Sequence, residues 1–336
     1  MRRLALVLVL SAGLAGCGAK QTAPTETGLP APTNFKITNQ KVNFLSNEVS
    51  VSWSGNAPSY RVTAGTTNGS ANVLTVEVAG TSYTWVAPRE ASFYYIRVQA
   101  VNGSEVSVPA QELPVYTMDL RNAIDALYFD TGPMSQSPTA APGNPSAGVW
   151  ADGTILKITV SNESGTLARD NAQIFSADYA GIVGGVITAT VETTSADFKT
   201  VALGDVPLFN IYMRVLNGFC GTTGIIACAY YGPSPIGPNR SIVTMNAPTG
   251  GTSIAHEVGH AYGLHHVVVG SSVRPELNFL MNPILINTQM SEPEKNAIAT
   301  ARSVGLRAGT TRNQAQAMGL VLPYPWTTPS GPTRGR

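Results

Sequence analysis

Between residues 34 and 108 the chain alternates apolar and polar positions in short runs, at 34–39, 48–54, 60–64, 73–78, 82–86, 93–101 and 105–108. A period of two places every second side chain on the same face of a strand. In the second run Val49, Val51 and Trp53 share a face; in the sixth, Tyr94, Ile96, Val98 and Ala100 do. Seven such runs, separated by Gly, Asn and Pro turns, predict a β-sandwich of under about 100 residues. From Met118 the pattern changes. Residues 120–129 have helical spacing, 132–148 form a Gly-, Pro- and Ser-rich loop, and 155–160 read as a strand. An amphipathic helix is predicted over 170–183, with strands at 186–191, 210–216, 225–231 and 241–245. A further helix should start at Thr252 or Ser253, either of which can cap it. Ser291 and Glu294 form a capping-box pattern for a last helix running to about residue 306. Strands and helices interleave here, so the second domain, over 115–322, is expected to be α+β, and the sandwich occupies 33–114.

The two ends differ from both domains. Arg2 and Arg3 precede an apolar run from Leu4 to Leu10, closed by Leu14-Ala15-Gly16-Cys17. That run is too short to span a bilayer and ends in small residues, as a cleaved export signal does. Residues 18–32 are polar and proline-bearing, which predicts a flexible tether. Residues 323–336 are rich in Pro, Thr and Gly and read as a disordered tail. A length of 336 allows two domains with a core each. Only 12% of residues are charged and the net charge is +1, so no basic patch invites nucleic acid.

The chemistry is concentrated in one stretch. All four histidines lie in His256-Glu257-Val258-Gly259-His260-Ala261-Tyr262-Gly263-Leu264-His265-His266. His256 and His260, four apart on a helix, project from one face and can reach one Zn²⁺. Gly263 lets the helix stop and the chain bend back, which delivers a third histidine. His265 and His266 compete for that role; the spacing from Gly263 favours His266, and His265 is then expected to face outward. Three protein ligands leave a fourth position open, the arrangement of catalytic rather than structural zinc. Glu257 then stands as general base toward a metal-activated water. HExxH alone would arise by chance on the order of once in a thousand chains of this composition; the extended pattern, about once in a million. Tyr262 is expected to pack on the helix.

Three resemblances add to this reading. Leu14-Ala15-Gly16-Cys17 resembles a bacterial lipoprotein signal over 1–17, which implies a lipid on Cys17 and a membrane-anchored, extracytoplasmic protein of the cell envelope, at the outer membrane or cell surface. Cys220 and Cys228 then remain as an even pair in an oxidising compartment, either disulfide-bonded or free and buried, with the disulfide favoured. Trp53 and the run Tyr94-Tyr95-Ile96-Arg97-Val98-Gln99-Ala100-Val101-Asn102 resemble a fibronectin type III domain, implying core roles for Trp53 and Tyr94 and a module that spaces the chain or binds a surface ligand. The zinc motif followed by Leu280-Met281-Asn282-Pro283 resembles the metzincin clan of zinc endopeptidases. Met281 would form the methionine turn beneath the histidines without touching the metal. Gly224-Ile225-Ile226-Ala227-Cys228-Ala229-Tyr230-Tyr231 is similar to the matrixin edge strand that borders the cleft and pairs with extended substrate. Cys228 stands where matrixins usually carry a structural-zinc histidine, so one zinc and a disulfide are expected. Val267 departs from the Ser or Asp of several metzincin families. Residues 283–287 would wall the specificity pocket.

The expected architecture is therefore multidomain: a fibronectin type III-like β-sandwich followed by an α+β, zincin/metzincin-like catalytic domain. The expected function is zinc-dependent hydrolysis of peptide bonds in extracytoplasmic proteins, with His256, His260 and His266 on the metal. The alternative is a surface adhesion lipoprotein whose metalloprotease fold is inactive.

Overall fold

The computed structural model describes residues 28–44, 46–88, 92–136, 144–221, 226–232, 238–248, 251–270, 274–284 and 287–323. The expected signal peptide, Cys17, the tether up to residue 27 and the tail beyond residue 323 lie outside these described residues.

The first domain is a two-sheet sandwich. Strands β1 (Thr33–Val42), β2 (Asn47–Ser54) and β5 (Ser82–Ala87) form one antiparallel sheet in the order β1-β2-β5. Strands β3 (Ser59–Gly65), β4 (Leu74–Val78) and β6 (Ser92–Asn102) form the other, with β7 (Glu105–Val106) and β8 (Leu113–Thr117) both pairing along β6. The inward faces are those the alternation predicts. Val49, Val51 and Trp53 are buried with Tyr94, Ile96, Val98 and Ala100 in one core. Trp53 meets Phe35 and Tyr60 edge-on, and Trp85 meets Tyr94 the same way. One boundary is corrected. The sequence predicts a last strand at 105–108 and an end at 114, but only Glu105–Val106 pair there and β8 closes the sheet, reaching Thr117. Pro114 interrupts the pattern of β8, and a proline is tolerated because β8 is an edge.

The second domain holds a five-stranded sheet of order β10-β9-β11-β13-β12. Its members are β9 (Ile155–Ser161), β10 (Thr188–Thr194), β11 (Asn210–Val215), β12 (Ala227–Tyr231) and β13 (Arg240–Met245). All neighbours are parallel except β12, which runs antiparallel to β13 at the edge. Helices α1 (Leu120–Phe129), α2 (Thr166–Ile182), α3 (Gly251–Ala261), α4 (Glu292–Val304) and α5 (Arg312–Ala317) complete it. Ile158, Ile211, Met213 and Val243 of the sheet share a core with Phe175 of α2 and with Ile254 and Val258 of α3. The α+β expectation holds at this level.

Local corrections have local causes. Helix α2 starts at Thr166, four residues before the predicted start, straight after Gly165 at φ +82°. Strand β10 starts at Thr188 and not at 186, since Gly184 and Gly185, both at positive φ, still belong to the turn. Helix α3 starts at Gly251, so Ser253 lies inside it, buried, and does not cap it. Helix α5 was not predicted, although Thr311 and Gln314 form its capping box. The domains meet at Asn47, whose side-chain amide pairs with both the N–H and the C=O of Met118 at 3.1 Å. Asn296 of α4 donates to the Val42 carbonyl at 3.0 Å. Among the described residues no helix is long and apolar enough to cross a membrane.

Candidate metal centre

Helix α3 carries His256, Glu257 and His260 and ends at Ala261, two residues before Gly263. The Leu264 N–H returns to the Gly259 carbonyl and Gly263 adopts φ +88°. A Cβ at Gly263 would also collide with the Gly148 carbonyl oxygen, so both conformation and space demand glycine there. The chain then turns back beneath the helix, fixed by Val267 N–H donating to the Met281 carbonyl at 2.9 Å. That turn brings His266 to the two helical histidines.

The three Nε2 atoms converge. His266 Nε2 lies 3.1 Å from that of His256 and 3.0 Å from that of His260. Tetrahedral zinc with Zn–N of about 2.0–2.1 Å needs ligand nitrogens roughly 3.3–3.4 Å apart, so small outward shifts suffice. The Nδ1 side of each ring is also occupied. His256 Nδ1 donates to the Leu280 carbonyl and His260 Nδ1 to the Leu264 carbonyl, each at 2.7 Å. His266 Nδ1 meets the side-chain oxygen of Gln136. With Nδ1 as the donor, each ring presents the lone pair of Nε2 to a common point. Burial holds all three below the ordinary histidine range, His266 to about 4. The rings therefore stand neutral at pH 7. Mutual repulsion adds to the effect at His260 and His266. This donor set fits a zinc ion.

His265 does not join the cluster. It was expected to face outward, but it is half-buried, with its N–H on the Leu127 carbonyl and its ring influenced by Asp130. The segment after Phe129 packs against the motif, which closes the space it would have faced. Tyr262 packs as expected, edge-on to Phe175 and Tyr179, with its hydroxyl donating to Ser176 Oγ at 2.9 Å.

Met281 is fully buried beneath the histidines. A Cβ at Gly259 would collide with its Sδ, so the glycine between the two helical histidines is what admits the methionine. The turn is held from below by Glu294, which is also fully buried. Its carboxylate accepts from Leu280 N–H at 2.8 Å, Met281 N–H at 3.2 Å and Ser291 N–H at 3.4 Å. The capping box was legible in sequence; that its glutamate also carries the turn whose Leu280 carbonyl orients His256 was not.

Burial raises Glu294 to about 7, and its three amide donors pull the value down. An acid whose folded pKa exceeds its unfolded one, near 4.5, takes up a proton on folding between those values. Its contribution to stability is full below about pH 4.5 and is lost as pH rises through about 7. The difference is at most on the order of 3 kcal/mol. Thermal melts of the metal-free chain across this range should therefore fall less steeply with pH in Glu294→Gln than in wild type.

Glu257 sits next to His256 with 7% of its surface exposed. Burial raises it to about 8, opposed by hydrogen bonding from the Ala229 amide of β12. The positive charge of a bound metal would lower it again. The cleft above these residues has a volume of about 570 Å³ and is lined also by Gln136, Ile226, Ala229, Ser253 and Pro283. Of the expected specificity segment, Pro283 reaches the cleft, Ile284 is exposed, and Leu285 and Ile286 lie outside the described residues.

The expected disulfide is present. Cys220 and Cys228 tie the loop after β11 to β12, with Cα atoms 5.7 Å apart. Beside it the buried Arg214 donates to the carbonyls of Phe198 at 2.7 Å and Val201 at 2.9 Å, and its guanidinium lies 4.7 Å from the Phe219 ring centre. Nothing in the sequence marked Arg214 as a clamp on the loop that crosses this face of the sheet.

No family model matches the chain, and no curated protein matches it. Solved structures that it resembles weakly are fibronectin type III domains. The FN1–FN3 domains of chicken CNTN1 match at 22% identity over 27% of this chain and 32% of that one, with a TM-score of 0.23. The FN5 domain of Drosophila Lar matches at 18% over 26% and 95%, TM-score 0.22. The fibronectin type III domain of human fibronectin type III domain containing protein 3 matches at 17% over 30% and 93%, TM-score 0.23. The chain spans about a third of the length of the first.

Proposed function

We propose that this chain is a zinc-dependent endopeptidase, matrixin-like within the metzincin clan, joined to a fibronectin type III-like module. The convergence of His256, His260 and His266 at Nε2, with Glu257 beside them in the cleft, carries the reading. A zinc ion held by these histidines would supply Lewis acidity, polarising the scissile carbonyl and easing loss of a proton from water. Glu257 is placed to accept that proton and pass it to the leaving amine. Burial raises this carboxyl and so favours proton uptake, while the charge of a bound metal would favour its release.

Strand β12 supports a peptide substrate. It pairs with β13 on one side and ends the sheet on the other, and its Ala229 amide faces the general base. An extended peptide can add to such an edge through main-chain hydrogen bonds with little demand on its sequence. Met281, seated against Gly259, gives the histidines a floor in the manner of the clan. The N-terminal sequence supports a lipid on Cys17 and a place in the bacterial cell envelope, and the disulfide agrees with an oxidising compartment.

Incubating the purified chain with a library of unstructured peptides and mapping the new termini tests the reading. Paired new carboxyl and amino ends within extended peptides are expected. Tight binding of zinc and of surface ligands with no new termini would favour an inactive, adhesive role.

A further inference from the structure

Two of the three histidines are oriented by backbone carbonyls, from Leu280 and Leu264; the third is oriented by a side chain 130 positions upstream. The segment that carries this side chain is braced on both sides. Asp130 ends α1 in the left-handed region at φ 50° and accepts from Ser135 Oγ at 2.6 Å. The Ser135 N–H closes a turn onto the Gly132 carbonyl at 3.2 Å. A Cβ at Gly132, itself at φ +82°, would crowd Asp125 Oδ2 at 2.8 Å, which brings this turn hard against α1. On the other side the Met134 carbonyl accepts from Val268 N–H at 2.7 Å, two residues past the third histidine. Gln136 thus reaches His266 from a backbone tied to both α1 and the chain that follows the motif.

Resting on the zinc reading above, we infer that Gln136 is a positioning residue: its side-chain oxygen holds the His266 ring with the proton on Nδ1, leaving Nε2 free for the metal. The alternative tautomer would place the proton on Nε2, where it blocks coordination. A carbonyl oxygen can only accept, so it selects the productive form. A primary amide can also rotate and offer its N–H₂ to Nδ1, selecting the unproductive one. A carboxylate cannot. The substitution of glutamate should therefore enforce the productive tautomer and raise the ligand's basicity, and leucine should remove the preference. Gln136 keeps exposed surface, and water can take its place in part, so the effect belongs at the low end of the range for groups behind a metal ligand.

The test is zinc affinity of the full chain, by competition of zinc against a chelating dye, for wild type, Gln136→Leu and Gln136→Glu. Gln136→Leu should bind zinc about tenfold more weakly and Gln136→Glu at least as tightly as wild type, with metal-free melting temperatures unchanged. Equal affinities for wild type and Gln136→Leu would overturn the assignment, as would a loss in Gln136→Glu matching that in Gln136→Leu. A wild-type chain that takes up no zinc would overturn the metal reading itself, and Gln136's role with it.

Discussion

Replacing Glu257 with alanine is expected to lower kcat on an unstructured peptide by about 10³-fold, while KM stays within a few-fold and one zinc still binds. The proposed metal ligands are three histidines whose Nδ1 atoms are held by Leu280, Leu264 and Gln136, and not by Glu257. Metal content should therefore survive the change. Substrate affinity should survive too, since the edge strand offers its main chain and not this carboxylate. What disappears is the buried carboxylate proposed to carry a proton from water to the leaving amine. Glu257→Gln, which keeps the volume, should lose as much, because an amide cannot accept the proton. Steady-state kinetics with metal analysis on the same preparations decide it. Turnover retained in either variant would mean another group acts as base.

The second large effect is on stability. Arg312 and Asp125 form a buried ion pair, at 2.8 Å through Nε and 2.5 Å through Nη2, with relative exposures of 2% each. Asp125 Oδ1 also accepts from Thr131 Oγ1 at 2.5 Å, and Arg312 donates to the Leu322 carbonyl at 3.1 Å. The pair joins α1, near the start of the domain, to α5, near its end. Arg312→Met would leave Asp125 charged, buried and without its cation, at a cost of about 3–5 kcal/mol. Urea denaturation should show this as a lower midpoint with an unchanged slope. The double variant Asp125→Asn with Arg312→Met should regain part of the loss, because the penalty is that of an orphaned charge more than of a missing attraction. A single variant as stable as wild type would show that the pair contributes little.

The geometry of the candidate site was legible because local spacing dictates it. HExxH on a helix brings two histidines and a glutamate together by the 3.6-residue repeat, and Gly263 makes the turn that returns a third histidine. Alternation in β2 and β6 likewise identified the sandwich core from Val49 to Ala100. What escaped is what depends on distant chain. Gln136 lies in a stretch that reads only as a Gly/Pro/Ser-rich loop, and no pattern says that its fifth residue will meet a histidine 130 positions later. Glu294 could be read as a cap but not as the support of Met281, since a capping box describes one helix end and not its neighbour. Local sequence gives no reason for glycine at position 259; the methionine packed against it supplies one. Arg214 would ordinarily be assigned to solvent; only the crossing loop, with its carbonyls turned inward, makes a buried cation tolerable there. The outward placement of His265 failed for the same reason, because the segment that covers it comes from before the sheet.

The most direct test of zinc-dependent peptide hydrolysis at His256, His260, His266 and Glu257 is a reconstitution titration. The chain is stripped with chelator, the chelator is removed, and zinc is returned in fractions of an equivalent while cleavage of an unfolded protein is followed. Hydrolysis is expected to be absent from the stripped chain, to rise in proportion to added zinc and to level off at one ion per chain. Cleavage that survives stripping, or one equivalent of zinc taken up with no cleavage, would contradict it.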